Sequence, residues 1–212
     1  MPLREVRAAL DESIALPQPV EDWIQIARES IQSFWDSRSQ KMQTGWVECD
    51  FRYVAQVLIC LTQSDDSEAS QGQPVIVGPF VEWGSGFAVV AGLAAMFGMD
   101  STGIESEEFI HLAAQRLHRG TAFRTQLVRG NFLPAGADEL AEPSDPRVAL
   151  AASIEEAYPQ LERKLTDYQT VFVYAWPGEE HFLKQVFQRY AATEAVLLLY
   201  RGPYHLEIYR KT

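Results

Sequence analysis

The stretch Pro79-Phe80-Val81-Glu82-Trp83-Gly84-Ser85-Gly86-Phe87-Ala88 decides the fold, and it leads into the apolar segment 89–97. An apolar run, an acid, two glycines one residue apart and a second apolar segment predict a strand, a tight turn and a helix. Glycine reaches backbone angles closed to other residues, so a ligand can approach the main chain at this turn. The free N–H groups at the start of the helix point back at the turn, which predicts a site for a polar or anionic ligand.

Strands and helices alternate along the rest of the chain. The predicted strands are 75–77, 80–82, 101–105, 123–128, 170–174, 195–200 and 204–209, and the predicted helices are 87–97, 107–118, 148–165 and 179–192. Continuous apolar strands separated by helices predict an α/β protein with a mostly parallel sheet covered on both faces. The Gly202-Pro203 turn is too short for a crossover, so the last strand should be antiparallel. That strand is also a candidate for an exposed sheet edge.

The N-terminal third has a different pattern. Residues 1–19 are polar, contain two prolines and predict a loose arm. Two amphipathic helices follow, from Val20 to Trp35 and from Tyr53 to Leu61, with Asp50 at the N-cap position of the second. The first helix either packs its apolar stripe on the domain or forms a lid over a ligand site. After a polar loop, 63–74, the strand-and-helix part begins, so we expect residues 1–74 to be a helical extension packed on the domain 75–212.

Composition narrows the class of protein. The 212 residues carry a net charge of -11, whereas nucleic-acid binding relies on clustered Lys and Arg, so no nucleic-acid partner is expected. Cys49 and Cys60 form neither a disulfide framework nor a metal-ligand set, and no metal site is predicted. Because the sequence shows no signal peptide and no apolar run of about 20 residues, we expect a cytoplasmic protein without a membrane segment.

Ligands of an open parallel sheet bind at the carboxyl ends of its strands. Glu105 ends the strand 101–105, about 20 residues after Gly84, where an acid accepts hydrogen bonds from the two hydroxyls of a ribose. Asn131, after the next strand, offers an amide to an adenine edge, and Phe132 with Ile104 can pack on its faces. These residues predict a site for an adenosine-containing ligand.

The glycine turn fits two classes of ligand. The dinucleotide pattern G-x-G-x-x-G/A would place Val89 where a small residue is needed, which leaves a nucleotide-dependent oxidoreductase as a weaker alternative. The second class has an acid two residues before the first glycine, and Glu82 supplies it. A carboxylate there can accept a hydrogen bond from the ammonium of a bound amino acid or from the loop backbone.

The segment from Glu82 to Ala88 resembles the first motif of the class I, Rossmann-like S-adenosylmethionine-dependent methyltransferases, an acid followed by three glycines at alternate positions, with Ala88 in place of the last glycine. Glu105 resembles the acid of their second motif, and Asn131-Phe132 loosely resembles their third. The resemblance covers about residues 75–200. It implies a Rossmann-like fold, S-adenosylmethionine as the methyl donor, and a small molecule or a protein as the methyl acceptor.

The resemblance also implies roles for individual residues. The implied cofactor-binding set is Glu82, Gly84, Ser85, Gly86, Glu105, Ser106, Asn131 and Phe132. The methionine part would lie at the glycine turn, the ribose at Glu105 and the adenine at Asn131. It implies that the acceptor enters near the strand 170–174, where Tyr174 and Trp176 are the candidate acceptor-binding and catalytic residues, with Trp46 and Asp50 as further candidates from the N-terminal part. Apart from the resemblance, His181 is a candidate catalytic base, because it lies beside Glu179, Glu180 and Trp176 in the sequence. Trp and Tyr faces suit a methylated cation or an aromatic acceptor.

Several alternatives remain beside this interpretation. Tyr174 and Trp176 can instead cap the sheet edge and pack on the N-terminal helices. The strand end Tyr174-Ala175-Trp176-Pro177 lacks the polar residue and the paired prolines of family members that methylate amide or base nitrogens, so that activity is not implied. Together with Ala88, this departure leaves open a non-catalytic domain that binds a ligand or a partner. Ser85 does not match the hydrolase nucleophile pattern G-x-S-x-G, because Trp83 and Phe87 stand where that pattern requires glycine.

Overall fold

A computed structural model describes residues 2–6, 14–38, 47–62, 76, 78–141 and 154–212. The strands are β1 (Leu3–Glu5), β2 (Phe80–Trp83), β3 (Ser101–Glu105), β4 (Thr125–Arg129), β5 (Thr170–Tyr174), β6 (Val196–Gly202) and β7 (His205–Lys211). The α-helices are α1 (Gln18–Asp36), α2 (Phe51–Thr62), α3 (Val89–Met96), α4 (Glu108–Leu117), α5 (Ala157–Gln160) and α6 (Glu180–Tyr190), and short 3-10 helices span Ala137–Leu140 and Leu165–Asp167.

The strands form one 7-stranded sheet in the order β1-β7-β6-β5-β2-β3-β4. Strand β2 pairs in parallel with β3 on one side and β5 on the other, and β4 and β6 extend the parallel part. Strand β7 is antiparallel to β6, as the short turn between them predicts. The α/β fold prediction is confirmed, because the chain winds outward in both directions from β2 and β5, as in a Rossmann-like sheet.

Helices cover both faces of this sheet. Successive residues of a strand point to opposite faces, so alternate residues of β5 mark two cores. Phe172 belongs to an apolar cluster with α1, α2, α3 and α4, whereas Val171 and Val173 belong to a second cluster with α5 and α6. Both faces of the central strand β5 are therefore buried, which explains its continuous apolar sequence.

The two N-terminal helices contribute to the first of these cores. Val20, Ile24 and Ala27 of α1 are buried in it, as predicted for a helix that packs its apolar stripe on the domain. Helix α2 begins directly after Asp50, the predicted N-cap residue, whose Oδ1 accepts the backbone N–H groups of Arg52 and Tyr53 at 3.1 and 3.2 Å. A boundary between residues 74 and 75 lies outside the described residues and stays a prediction.

Two elements differ from the predictions. Residues 3–5 form a strand rather than part of a loose arm: β1 pairs antiparallel with β7, so β7 is an inner strand and the predicted exposed edge is wrong. In the described part of the predicted helix 148–165, only Ala157–Gln160 is α-helical. Glu162 has a φ of 52°, in the left-handed region, which stops the helix. Of the predicted strand 75–77, only Ile76 is described.

Helix α1 meets α3 at a glycine. Trp23 donates its Nε1–H to the carbonyl of Val89 at 3.2 Å, and a Cβ atom added to Gly92 would lie 2.7 Å from Trp23 Cζ2. We therefore expect Gly92→Ala to lower the free energy of unfolding by about 1–3 kcal/mol, because the added methyl group displaces a buried indole. Urea unfolding measures this loss.

The matched control for this contact is the same substitution in a Trp23→Leu background. Removing the indole removes the clash, and alanine is favoured over glycine inside a helix by about 0.5–1 kcal/mol. Gly92→Ala should then be neutral or stabilising. An equal loss of stability in both backgrounds would mean that the close contact with Trp23 is not the cause.

Among the described residues, none of the helices combines the length and apolar character needed to cross a membrane.

Candidate functional site

The glycine turn between β2 and α3 takes the shape that its sequence predicts. Gly84 and Gly86 have φ values of 62° and 56°, in the left-handed region that favours glycine. Ala88, which stands in place of a third glycine, also has a left-handed backbone, with φ 55° and ψ 36°. An alanine in this conformation costs about 1 kcal/mol or more, so the surrounding contacts hold it there. The Ser85 N–H donates to the carbonyl of Ile104 at 2.8 Å and ties the turn to β3.

Glu105 connects the end of β3 to the same turn. Its Oε2 accepts the backbone N–H of Gly86 at 2.7 Å, and its Oε1 accepts the N–H of Glu107 at 2.8 Å. The side chain is buried, and burial raises the pKa of this carboxyl, while the hydrogen bonds from Glu107 and Gly86 lower it in part. The structure thus brings Glu105 into contact with the glycine turn, and these are the two features whose spacing in the sequence predicts one binding site.

Glu82 lies inside β2 and reaches across to α3. Its Oε2 accepts the N–H of Ala91 at 2.7 Å, so this carboxyl satisfies a free N–H group in the first turn of the helix. Its other oxygen, Oε1, has no hydrogen-bond partner among the described residues. Only 6% of the residue is exposed, and burial raises the pKa of Glu82 to about 8.

A cavity of about 570 Å³ opens at the carboxyl ends of β2, β3 and β5. This is where the strand order reverses, the position at which ligands bind in open α/β sheets. Its lining includes Glu82, Trp83, Gly84, Ser85, Phe87, Glu105, Ser106 and Phe132 on the β2 and β3 side. Around the end of β5 it includes Val47, Cys49, Phe51, Phe172, Tyr174, Trp176, Glu179 and Phe182.

An aromatic wall closes the cavity beyond β3. The ring of Phe132 stacks on Trp83 with centroids 5.0 Å apart and planes 12° apart. Trp83 is held in turn by its Nε1–H, which donates to the hydroxyl of Tyr158 at 2.9 Å. Phe132 was predicted for the site from the sequence, whereas Trp83 was not, although Trp83 stands between the acid and the first glycine of the turn.

The segment before α2 forms the opposite wall. Val47, Cys49 and Phe51 line the cavity, and the N–H of Asp50 donates to the hydroxyl of Tyr200 at 2.9 Å. Burial raises the pKa of the Cys49 thiol, with the charge of Glu82 as a further cause, so the thiol stays protonated. Cys49 was not predicted as a cavity residue, because no local sequence signal distinguishes a core thiol from one that lines a site.

Most of the residues predicted for the site line the cavity, but four described ones do not: Gly86, Asn131, His181 and Asp50. Asn131 is buried next to Phe132, where its Oδ1 accepts the N–H of Leu133 at 2.9 Å, and it is absent from the lining. His181 is exposed on α6 and also lies off the cavity. Asp50 uses its carboxylate as the N-cap of α2. Trp46 lies outside the described residues. The binding and catalytic roles of all these residues stay predictions.

In the described part of the chain, no group of three or more His, Cys, Asp or Glu side chains is placed to hold a metal ion.

When the chain is compared with known proteins, it matches solved structures but no family model and no curated sequence. One similar structure is an RNA methyltransferase from Salinibacter ruber in complex with S-adenosyl-L-homocysteine, at 14% identity and a TM-score of 0.40, over 62% of this chain and 78% of that chain. A second is a putative caffeoyl-CoA O-methyltransferase from Staphylococcus aureus, at 12% identity and a TM-score of 0.44, over 86% of this chain and 73% of that chain.

A third similar structure is the glycopeptide N-methyltransferase MtfA complexed with sinefungin, at 17% identity and a TM-score of 0.38, over 58% of this chain. The chain spans 43% of the length of that protein. Similarity at this level does not decide what the chain does. Its Rossmann-like fold follows from its own strand order, with a cavity at the point where that order reverses.

Proposed function

We propose that the chain is an S-adenosylmethionine-dependent methyltransferase. The observation that carries the proposal is the contact between Glu105 and Gly86, 2.7 Å long, at the rim of a cavity of about 570 Å³. The contact holds Glu105, the acid that we assign to the ribose, beside the glycine turn at the point where the strand order reverses, and this supports the proposal. Cavities of this volume are large enough for a ligand of nucleoside size.

The residues present fit this donor. An ionised carboxylate has about four acceptor positions, so Glu105 can accept ribose hydroxyls while it keeps its two backbone donors. Oε1 of Glu82, which has no hydrogen-bond partner among the described residues, is available to the ammonium of the methionine part. The stacked rings of Trp83 and Phe132 offer an apolar wall to the adenine. In this assignment Trp83, rather than Asn131, contacts the adenine, because the amide oxygen of Asn131 accepts the N–H of Leu133.

The chain would act mainly by positioning. S-adenosylmethionine supplies a methyl group on a positively charged sulfur, which a nucleophile can attack in line. Glu82 and Glu105 fix the two ends of the donor, and the wall formed by Val47 and Phe51 limits the access of water to the reacting atoms. Tyr174 and Trp176, at the end of β5, would line the place of the acceptor.

The first test is calorimetric titration of the full chain with S-adenosylmethionine and S-adenosylhomocysteine. We expect saturable binding with micromolar dissociation constants for both. If neither ligand binds, the proposal is wrong. An acceptor screen with a donor carrying a radioactive methyl group follows, and it includes RNA as well as small molecules and proteins. Binding without transfer to any component of a cell extract would favour the alternative of a non-catalytic ligand-binding domain.

A further inference from the structure

The main chain at Ala88 is strained, and several contacts hold it. Its φ of 55° and ψ of 36° lie in the left-handed region, which an alanine adopts only at a cost in energy. The N–H of Ala88 donates to the carbonyl of Ser85 at 2.7 Å, and its carbonyl accepts the N–H of Gly92 at 2.9 Å. A Cβ atom added to Gly103 would lie 3.0 Å from the methyl group of Ala88. Ala88 therefore packs closely on β3, the strand that ends in Glu105, and links the glycine turn to it.

His118, the residue that follows α4, makes a further contact with Ala88. Its Nε2 lies 3.1 Å from the carbonyl oxygen of Ala88. A carbonyl can only accept a hydrogen bond, so Nε2 carries a proton and donates it. Burial lowers the pKa of His118, while hydrogen bonds to the backbone of Phe87 and Ala88 raise it in part. The ring is therefore neutral near pH 7, with Nδ1 as an acceptor.

Two aromatic side chains fix the position of the imidazole ring. The ring of His118 makes edge contacts with Trp23 and Phe123, with centroids 5.0 and 5.9 Å apart. Its Nδ1 atom is buried and has no hydrogen-bond partner among the described residues. A buried acceptor without a partner is costly, so an apolar side chain of similar size would suit this position better for stability alone. What the imidazole provides instead is its bond to the glycine turn.

We propose that His118 is a positioning residue for donor binding, which holds Ala88 in a conformation that glycine adopts without strain. This inference rests on the proposed S-adenosylmethionine site. The bond from Nε2 fixes the peptide group that follows Ala88, so the methyl group stays against Gly103. The turn then keeps Gly86 within reach of Glu105. Without this bond, Ala88 can relax toward the right-handed region, and the turn moves relative to the acid that we assign to the ribose.

The test is calorimetric titration of the full chain and its variants with S-adenosylhomocysteine. His118→Leu is expected to weaken binding by about 5- to 10-fold, because one hydrogen bond that orders the turn is lost. Leucine can still pack on Trp23 and Phe123, and the Ala88 carbonyl keeps the N–H of Gly92, so the variant should fold, as urea unfolding checks. His118→Gln can donate its amide N–H to the same carbonyl and should bind within about 2-fold of wild type.

The decisive comparison repeats His118→Leu in an Ala88→Gly background. Glycine enters the left-handed region without strain, so the turn should keep its shape without the bond from His118. The substitution should then change the affinity for S-adenosylhomocysteine by less than about 2-fold. A role of His118 in stability alone predicts instead the same loss of affinity in both backgrounds.

His111→Leu is the matched control, because His111 is a buried histidine of the same helix that bonds Gln115 rather than the turn. It should leave the affinity unchanged. The inference is overturned by equal losses in the two backgrounds, by unchanged binding in His118→Leu, or by a loss in His118→Gln as large as in His118→Leu. A His118→Leu chain that no longer folds would show a structural role and overturn it too. In these cases the wild type still binds S-adenosylhomocysteine, whereas failure of the wild type to bind overturns the proposed function itself.

Discussion

Glu105→Ala is expected to weaken the binding of S-adenosylhomocysteine by about 100-fold or more, which corresponds to about 2.7 kcal/mol. The substitution removes charge-assisted hydrogen bonds to the ribose hydroxyls, each worth about 1.5–3 kcal/mol. It also frees the N–H of Gly86, which Glu105 holds at 2.7 Å, so the glycine turn loses its connection to the end of β3. Calorimetric titration of wild type and variant at one pH measures the loss.

Glu107→Ala provides the matched control for this effect. Glu107 lines the same cavity and carries the same charge, but it is exposed and meets Glu105 through its backbone N–H rather than its side chain. Its removal should change the affinity by less than about 3-fold. Urea unfolding must show that Glu105→Ala still folds. If the folded variant binds S-adenosylhomocysteine as wild type does, Glu105 does not hold the ribose.

The corner between β2 and β3 was predictable because its determinants are local. The bounds of β3 and β5 agree with the predicted strands 101–105 and 170–174. The left-handed turn at Gly84 and Gly86 follows from the intrinsic freedom of glycine. Once β2 and β3 are adjacent and parallel, an acid at the end of β3 must lie near the turn that follows β2. The contact between Glu105 and Gly86 could therefore be predicted from the spacing of these residues in the sequence.

The rest of the site depends on contacts between distant parts of the chain. Strand β1 has three residues and no alternation of polar and apolar side chains. It forms because it pairs with the edge of β7, which lies more than 200 residues away in the sequence. The stack of Trp83 on Phe132 and the bond from Trp83 to Tyr158 join three separate segments. His181 was favoured because of its neighbours in sequence, but helix α6 points it away from the cavity. Such features require the tertiary structure.

Glu82 is expected to cause a large part of the change in the free energy of unfolding with pH. Burial raises the pKa of this carboxyl from 4.5 to about 8 in the folded protein, whereas the unfolded chain ionises near 4.5. Between these values the folded state keeps a proton that the unfolded state has lost, so stability falls as pH rises. The stabilising effect of protonated Glu82 on the folded state is complete below pH 4.5 and is lost as the pH rises through about 8. Its slope is about 1.4 kcal/mol per pH unit.

Glu82→Gln should therefore flatten the pH dependence of the free energy of unfolding between pH 5.5 and 7.5, a change of about 3 kcal/mol over this range. Glutamine is neutral at every pH, and its amide oxygen can still accept the N–H of Ala91, so the helix start keeps its partner. Urea unfolding at several pH values measures the slope. Glu107→Gln, which alters an exposed acid at the same cavity, should keep the wild-type slope. Equal slopes in wild type and Glu82→Gln would show that Glu82 is ionised in the folded protein across this range, and the buried carboxylate would then need a positive partner.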